Sequence, residues 1–121
     1  MLKVSHLGID IGGAHLKVIG VDKRNKVVLV DYESCPIWKG IEKLQAKFRK
    51  INNIIKNNSV KCGITMSGEM CDNFENRLIG AKILTEECNN LRFNNFFYVN
   101  SKEVFTKKPN YKQLISLNWH S

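Results

Sequence analysis

The sequence lacks the segments that mark several common classes of protein. It has only two prolines and no low-complexity tract, which argues against an intrinsically disordered chain. No apolar run approaches the roughly 20 residues that cross a membrane, so no membrane contact is expected. The first three residues lead directly into a strand pattern rather than into a signal peptide. We therefore expect a protein of the cytoplasm.

The cysteines lack the spacing of a metal site. Cys35, Cys62, Cys71 and Cys88 form no Cys-x-x-Cys pair and no Cys/His cluster. The sequence therefore predicts neither a zinc site nor a disulfide framework. Reduced thiols fit the expected location in the cytoplasm.

Arginine is also scarce. The formal charge is +8, and the positive charge is carried by 15 lysines and only 4 arginines. The chain also has 14 asparagines. A positive charge attracts phosphates, nucleic acid or an anionic surface. Phosphate recognition favours the bidentate arginine side chain, and the Lys/Asn bias resembles drift in nucleotide composition. The sequence therefore argues against nucleic acid as the partner.

What the chain does have is a clear hydrophobic pattern. It is 43% hydrophobic over 121 residues, enough for one domain with a core. Three strand-like segments separated by short turns open the chain and predict an antiparallel meander, at residues 4–11, 14–21 and 26–31. The period then changes to the spacings of three and four that indicate a helix, at Ile41, Leu44, Phe48, Ile51 and Ile55.

The remaining segments alternate between strand and helix. We predict strands at residues 60–66 and 95–100 and helices at 76–91 and 107–119. Strands joined through helices add in parallel by right-handed crossovers. The predicted fold is therefore α/β: one ribonuclease H-like βββαβαβα lobe over residues 1–121, with a mixed five-stranded sheet and helices on both faces.

The first candidate site is the stretch LGIDIGGAHLK at residues 7–17. It is neither a P-loop nor a dinucleotide fingerprint, because its glycines open a strand rather than a helix. Gly12 and Gly13 allow backbone N–H groups to approach an anion, Asp10 is a candidate Mg²⁺ ligand, directly or through water, and Lys17 a candidate phosphate contact. The alternative is an ordinary hairpin turn in which the aspartate satisfies backbone amides.

The second candidate site is the stretch TMSGEMCD at residues 65–72. It follows the fourth strand at the carboxyl edge of the sheet, where ligands sit in open α/β sheets. Glu69 and Asp72 are expected to face Asp10 as metal ligands or as a base for an attacking hydroxyl. The alternative is a helix N-terminus in which acidic residues complement the helix dipole.

Both stretches resemble known phosphate-handling proteins. GIDIGGAHLKVIGVD resembles the first phosphate motif of the actin/hexokinase-like superfamily. In the sugar kinases of that superfamily the motif has the sequence DxGGTxxK. ITMSGEMCDNFENRLIGAKIL resembles the TMTGELxDxF block of hydantoinase/oxoprolinase-related proteins. It resembles more closely the tetrahydromethanopterin-linked one-carbon-transfer group, which includes the methanofuran-biosynthesis methanamine synthases. The terminal LISLNWHS resembles the ANWxA segment of that group.

The resemblance implies roles for individual residues. Phosphate and Mg²⁺ roles fall on Asp10, Gly12, Gly13 and Lys17. Substrate-cleft roles fall on Thr65, Ser67, Gly68, Glu69 and Asp72. Ser67 replaces a threonine and keeps the hydroxyl, whereas His15 stands where the family more often has asparagine, and we expect it at the rim of the cleft.

The resemblance also implies an activity and its limits. Family members have two lobes with the ligand between them, and the methanamine synthases join γ-glutamyltyramine to an aminomethylfuran diphosphate with release of pyrophosphate. We therefore expect the N-terminal lobe of a Mg²⁺-dependent transferase that uses ATP or a diphosphate substrate, without the second lobe of the family. A single lobe cannot close around a ligand and exclude water. Turnover is expected to need a second-lobe polypeptide or a homo-oligomer.

Two other functions remain open from the sequence. A ribonuclease H-like nuclease would use Asp10, an acid near the end of the fourth strand, and Glu42 on the first helix. A non-catalytic lobe would act as an assembly module through an exposed apolar face.

Overall fold

The computed structural model describes residues 2–68, 74–99 and 102–114. Its centre is a six-stranded sheet in the order β3-β2-β1-β4-β5-β6. The strands are β1 (His6–Ile11), β2 (His15–Val21), β3 (Val27–Ser34), β4 (Lys61–Met66), β5 (Asn94–Val99) and β6 (Val104–Thr106). The helices are α1 (Glu42–Ile54), α2 (Arg77–Cys88) and α3 (Tyr111–Leu114), with a 3-10 turn at Ile37–Lys39.

The first three strands form the predicted meander. The turn between β2 and β3 is closed by the Asp22 carboxylate, which accepts hydrogen bonds from the Arg24 and Lys26 amides at 2.8 and 3.0 Å. Asn25 has a φ of 62°, a conformation that asparagine tolerates better than most residues. This short link makes β2 and β3 antiparallel, as β1 and β2 are.

The later strands join the sheet in parallel through helices. β4 pairs with β1, and β5 pairs with β4, both in parallel. The second crossover helix, α2, is capped at its N-terminus, because the Asn76 side chain accepts a hydrogen bond from the Ile79 amide at 2.9 Å. This strand order, with its two helical crossovers, is the ribonuclease H-like α/β arrangement predicted from the sequence.

The prediction of helices on both faces is corrected by the structure. In the described part of the chain, α1, α2 and α3 all contribute buried residues to one core, against one face of the sheet. The steps from β3 to β4 and from β4 to β5 run in the same direction across the sheet. Two right-handed crossovers in the same direction place their helices on the same side.

The number of strands also differs from the prediction. β6 pairs antiparallel with β5 and makes a sixth strand where five were expected. A strand of three residues is too short to show a period in the sequence, which explains why it was missed. The helix predicted at 107–119 is described only as α3, and residues 115–119 lie outside the described part.

Strand alternation gives the sheet two unlike faces. Every second residue of β1 is buried against the helices: Leu7, Ile9 and Ile11. The residues between them, among them Gly8 and Asp10, lie on the other side, which we call the open face. The candidate polar residues of the strands therefore project away from the core.

A buried asparagine ties α1 to the end of α2. The Asn52 side chain donates to the Asn90 carbonyl at 2.7 Å and accepts from the Arg92 amide at 3.1 Å. Among the described residues it is the polar side chain buried in the core, with 7% of its surface exposed. Buried polar groups are retained where they are fully hydrogen-bonded, and here one side chain satisfies two backbone groups. The Gln45 side chain also donates a hydrogen bond to Glu87 Oε1 at 3.1 Å, which links the same two helices a second time.

Replacing Asn52 by alanine is expected to destabilise the fold. Asn52→Ala leaves the Asn90 carbonyl and the Arg92 amide without their partner, which costs about 1–3 kcal/mol. Urea unfolding followed by circular dichroism measures the change. Asn53→Ala is the matched control, because the neighbouring side chain on the same helix is exposed, and it should change the stability by less than about 0.5 kcal/mol. Equal effects of the two substitutions would contradict the bridging role.

Candidate functional site

Three polar side chains lie side by side on the open face. The sheet register pairs Asp10 of β1 with Lys17 of β2 and with Thr65 of β4. The Thr65 hydroxyl donates to Asp10 Oδ1 at 2.8 Å, and Lys17 Nζ lies 3.8 Å from Asp10 Oδ2. We call these three residues the Asp10 row. The two sequence motifs thus meet in one row across three neighbouring strands.

The Asp10 row is accessible to solvent and ligands. Its aspartate and lysine side chains are 42% and 56% exposed. The partners that the structure gives the Asp10 carboxylate in the described residues are the Thr65 and Lys17 side chains, whereas the alternative of an ordinary hairpin turn expected backbone amides. An exposed ion pair at this distance contributes little to stability, so neither partner is held there by the needs of the fold.

The turn after β1 is held by its neighbours on several sides. The Gly12 amide donates to the His15 carbonyl at 3.0 Å, so the turn closes on itself. The Gly13 carbonyl accepts from the Ile37 amide at 3.0 Å, and the Ala14 carbonyl accepts from the Cys35 amide at 2.8 Å. The segment that follows β3 therefore fixes the turn in one conformation.

Gly12 is needed in this turn for space rather than for an unusual backbone conformation. Gly40 is the glycine with a positive φ in the described part of the chain, so the turn does not use that freedom. A Cβ at Gly12 would lie 3.1 Å from the His15 carbonyl oxygen. The Gly12 amide is already used within the turn, where it donates to the His15 carbonyl.

The segment after β4 packs directly against the same turn. The Ser67 amide donates to the Ile11 carbonyl at 2.9 Å. A Cβ at Gly68 would lie 3.2 Å from the Gly12 carbonyl oxygen and 3.2 Å from Leu84 Cδ1. Thr65, Ser67 and Gly68 thus lie at the carboxyl edge beside the first motif. Glu69 and Asp72 lie outside the described residues, and their roles remain predictions.

A tyrosine that the sequence did not single out borders the Asp10 row. Tyr32 stacks on His15, with ring centroids 4.8 Å apart and an interplanar angle of 18°. Lys17 Nζ lies 5.6 Å from the Tyr32 ring centroid, within the range of a cation–π contact. The predicted third strand ended at residue 31, whereas β3 extends to Ser34. The sequence pattern therefore did not place the Tyr32 side chain on the sheet. His15, which was expected at the rim of the cleft, is exposed and stacks on this tyrosine.

The Asp10 row offers one carboxylate to a metal. In residues 2–68, 74–99 and 102–114, no three His, Cys, Asp or Glu side chains come together to hold a metal. Magnesium is usually held by one or two carboxylates plus water and substrate phosphates, which fits the single exposed carboxylate of Asp10. Glu42 begins α1, on the helix side of the sheet, whereas Asp10 projects from the open face. The described residues therefore do not show the acid cluster of a two-metal nuclease.

The cysteines of the core are not reactive groups. Cys35, Cys62 and Cys88 are free and buried. Burial raises the pKa of the Cys62 thiol to about 12 and raises the pKa of the Cys88 thiol as well. It also raises the pKa of the Cys35 thiol, which the nearby Lys43 only partly opposes. Nucleophilic cysteines need a lowered pKa and access to solvent, so these three serve packing.

None of the helices in the described part of the chain is both long enough and apolar enough to cross a membrane.

Comparison with known proteins finds similarity among solved structures. The chain is similar to a protein described as a sugar kinase from Cytophaga hutchinsonii, with 20% sequence identity, a TM-score of 0.42, and coverage of 78% of this chain and 36% of that one. It is also similar to the Aquifex aeolicus member of the Ppx/GppA family, with 14% identity, a TM-score of 0.41, and coverage of 76% and 34%. The chain thus spans about a third of the length of each. No protein-family model matches the sequence, and no curated protein matches it closely.

The contact between the two motif turns can be tested with a single methyl group. Gly68→Ala is expected to lower the free energy of unfolding by about 1–3 kcal/mol, because its Cβ meets the rigid Gly12 carbonyl and the buried Leu84. Thermal unfolding measures the effect.

The matched control has the same contact distance but a movable neighbour. A Cβ at Gly8 would lie 3.2 Å from Ile19 Cγ2, and that side chain is 48% exposed and can rotate away. Gly8→Ala is therefore expected to leave the midpoint unchanged or to raise it slightly. Similar losses from the two substitutions would contradict the idea that the turns are packed tightly together.

Proposed function

We propose that this chain is the phosphate-binding lobe of a Mg²⁺-dependent transferase that displaces a phosphoryl group or pyrophosphate. The observation that carries the proposal is the Asp10 row. A carboxylate, a hydroxyl and an ammonium group stand in register on three adjacent strands, exposed, and beside a turn that its neighbours hold in place. Packing of the fold does not require these three polar groups to stand together, whereas binding of a phosphate and its metal requires charged and hydrogen-bonding groups that are already in place.

Each residue of the row has a distinct task in this proposal. Lys17 neutralises a phosphate oxygen and stabilises the charge that develops on the leaving group. Thr65 donates to one carboxylate oxygen of Asp10 and so orients the other toward the ligand. Glu69 and Asp72, predicted from the sequence, orient the attacking group. The chemistry thus divides between charge stabilisation on β1 and β2 and positioning of the nucleophile after β4.

Magnesium is the metal that this set of residues would hold. Asp10 would bind it directly or through water, and the ligand would supply further oxygens. When bound, the ion polarises the phosphate and offsets its negative charge. The 3.8 Å separation of Lys17 Nζ and Asp10 Oδ2 is longer than a close charge-assisted hydrogen bond.

The finer form of the proposal concerns the substrate. The resemblance to the one-carbon-transfer group suggests a diphosphate that loses pyrophosphate to an amine or hydroxyl nucleophile, in methanofuran biosynthesis. ATP is the alternative phosphate donor. The Ser67-Gly68 turn beside Gly12 supports a shared cleft for the two motifs, because a diphosphate needs contacts on both strand ends.

The proposal predicts that Mg²⁺-dependent binding of a diphosphate depends on Lys17. Isothermal titration calorimetry with pyrophosphate and ADP, with and without Mg²⁺, measures it. Lys17→Ala is expected to weaken binding about tenfold, since a charge-assisted contact contributes roughly 1.5–3 kcal/mol and this one is partly exposed. Asp10→Asn is expected to remove the dependence on Mg²⁺.

The control for Lys17 removes the same charge at the far end of the sheet. Lys23 lies in the turn between β2 and β3 and is exposed, so Lys23→Ala should change the affinity by less than about twofold. Equal losses from Lys17→Ala and Lys23→Ala would show that binding follows net charge alone. Binding that does not require Mg²⁺ would reject the metal-dependent site.

A further inference from the structure

Tyr32 continues the Asp10 row onto the next strand. The sheet register pairs Tyr32 of β3 with Lys17 of β2, just as it pairs Lys17 with Asp10 of β1. The tyrosine, the lysine and the aspartate therefore follow one another across neighbouring strands, with the lysine in the middle. Its ammonium group can be drawn toward an aromatic ring on β3 or toward a carboxylate on β1.

The lysine makes both of these contacts at once. Lys17 Nζ lies 3.8 Å from Asp10 Oδ2 and 5.6 Å from the Tyr32 ring centroid. The first distance is longer than a close charge-assisted hydrogen bond, and the second is within the range of a cation–π contact. Exposed contacts of either kind are weak and of similar strength. The geometry is therefore that of a cation shared between the ring and the carboxylate.

Without the ring, the lysine would have two other places to go. Its side chain is 56% exposed and has a flexible stem, so the ammonium group could close on Asp10 or turn to solvent. If it closed on Asp10, it would compete with a magnesium ion for the carboxylate. If it turned to solvent, a bound phosphate would lose its cation. Either change would weaken a site that needs a metal and a cation side by side.

The Tyr32 ring is itself held by the turn of the first motif. It stacks on the His15 ring at 4.8 Å with an interplanar angle of 18°. The His15 carbonyl accepts a hydrogen bond from the Gly12 amide at 3.0 Å. Tyr32 is 61% exposed, so burial in the core does not fix it. The ring takes its position from its strand and from a histidine that belongs to the turn.

We propose that Tyr32 is a positioning residue of the phosphate site, which holds the Lys17 ammonium group beside the Asp10 carboxylate rather than on it. This inference rests on the proposed function, because the lysine is held ready for a phosphate. Neighbouring strands are about 4.8 Å apart, so Tyr32 stands roughly 10 Å from Asp10 across the sheet. The tyrosine therefore acts on the metal end of the site through Lys17. Because the ring makes the contact, phenylalanine is expected to replace tyrosine and leucine is not.

The first test needs no phosphate and uses NMR on the full chain with ¹³C-labelled lysine. The ε-methylene protons of Lys17 are expected to be shifted upfield by the tyrosine ring, and their signal is identified by its loss in Lys17→Ala. Tyr32→Leu should move the signal toward that of a freely exposed lysine. Tyr32→Phe should keep it shifted.

The second test measures the affinity for pyrophosphate in the presence of Mg²⁺ by isothermal titration calorimetry. Tyr32→Leu is expected to weaken binding about three- to fivefold, which corresponds to the loss of one exposed cation–π contact. Tyr32→Phe should stay within about twofold of the wild type. In a Lys17→Ala background, Tyr32→Leu should cause no further loss, because the ring acts through the lysine that is no longer there.

Tyr98→Leu is the matched control, because it removes a tyrosine ring from another strand of the same sheet. Tyr98 of β5 packs on Phe105 of β6, with ring centroids 5.2 Å apart. Its loss should leave the affinity for pyrophosphate within about twofold and the Lys17 signal in place. Circular dichroism and thermal midpoints establish that each variant folds.

Several results would overturn the positioning role. An unmoved Lys17 signal in Tyr32→Leu would show that the ring does not hold the lysine. Equal losses of affinity from Tyr32→Leu with and without Lys17 would show that the tyrosine contacts the ligand itself. Equal losses from Tyr32→Phe and Tyr32→Leu would assign the effect to the hydroxyl.

The same titrations separate this role from the proposed function. A wild-type chain that does not bind pyrophosphate with Mg²⁺ would reject the phosphate site and the positioning role together. Wild-type binding that Tyr32→Leu leaves unchanged would reject the positioning role alone.

Discussion

The structure depends on the position of β1 between an antiparallel and a parallel neighbour. Because β2 returns directly from the Gly12 turn, its register sets Lys17 opposite Asp10. Because β4 arrives through α1, its register sets Thr65 beside Asp10 from the other side. Moving either neighbour by one residue would turn its side chain to the opposite face of the sheet. The candidate site thus exists only while both pairings hold.

Much of this arrangement could be predicted from the sequence, because hydrophobic period and short turns are local signals. The meander, the two crossover helices and the parallel addition of β4 and β5 follow from such signals. The prediction of helices on both faces was wrong for the described residues, because both crossovers run in the same direction across the sheet and place their helices on one side. β6 was missed for a different reason: three residues, Val104–Thr106, carry no period, and only pairing with β5 makes them a strand.

The site was predictable where it follows strand alternation and not where it depends on tertiary contacts. Asp10 and Lys17 are joined by a hairpin, so their proximity follows from two-residue periodicity. The hydrogen bond from Thr65 needs the correct register between strands 55 residues apart. The stacking of Tyr32 on His15 needs the true end of β3, which lies three residues beyond the predicted one. Contacts of this kind are decided by packing rather than by local sequence.

The Asp10 row lies open to solvent in the described part of the chain. A phosphate site must exclude water to make its charges effective, since charge interactions strengthen as the local dielectric falls. In the described residues, the Asp10 row has its strands beneath it and open space above it. Ile19, Phe105 and Lys17 are all exposed on this face. Tight binding of a phosphate is therefore expected to need a further layer over the row.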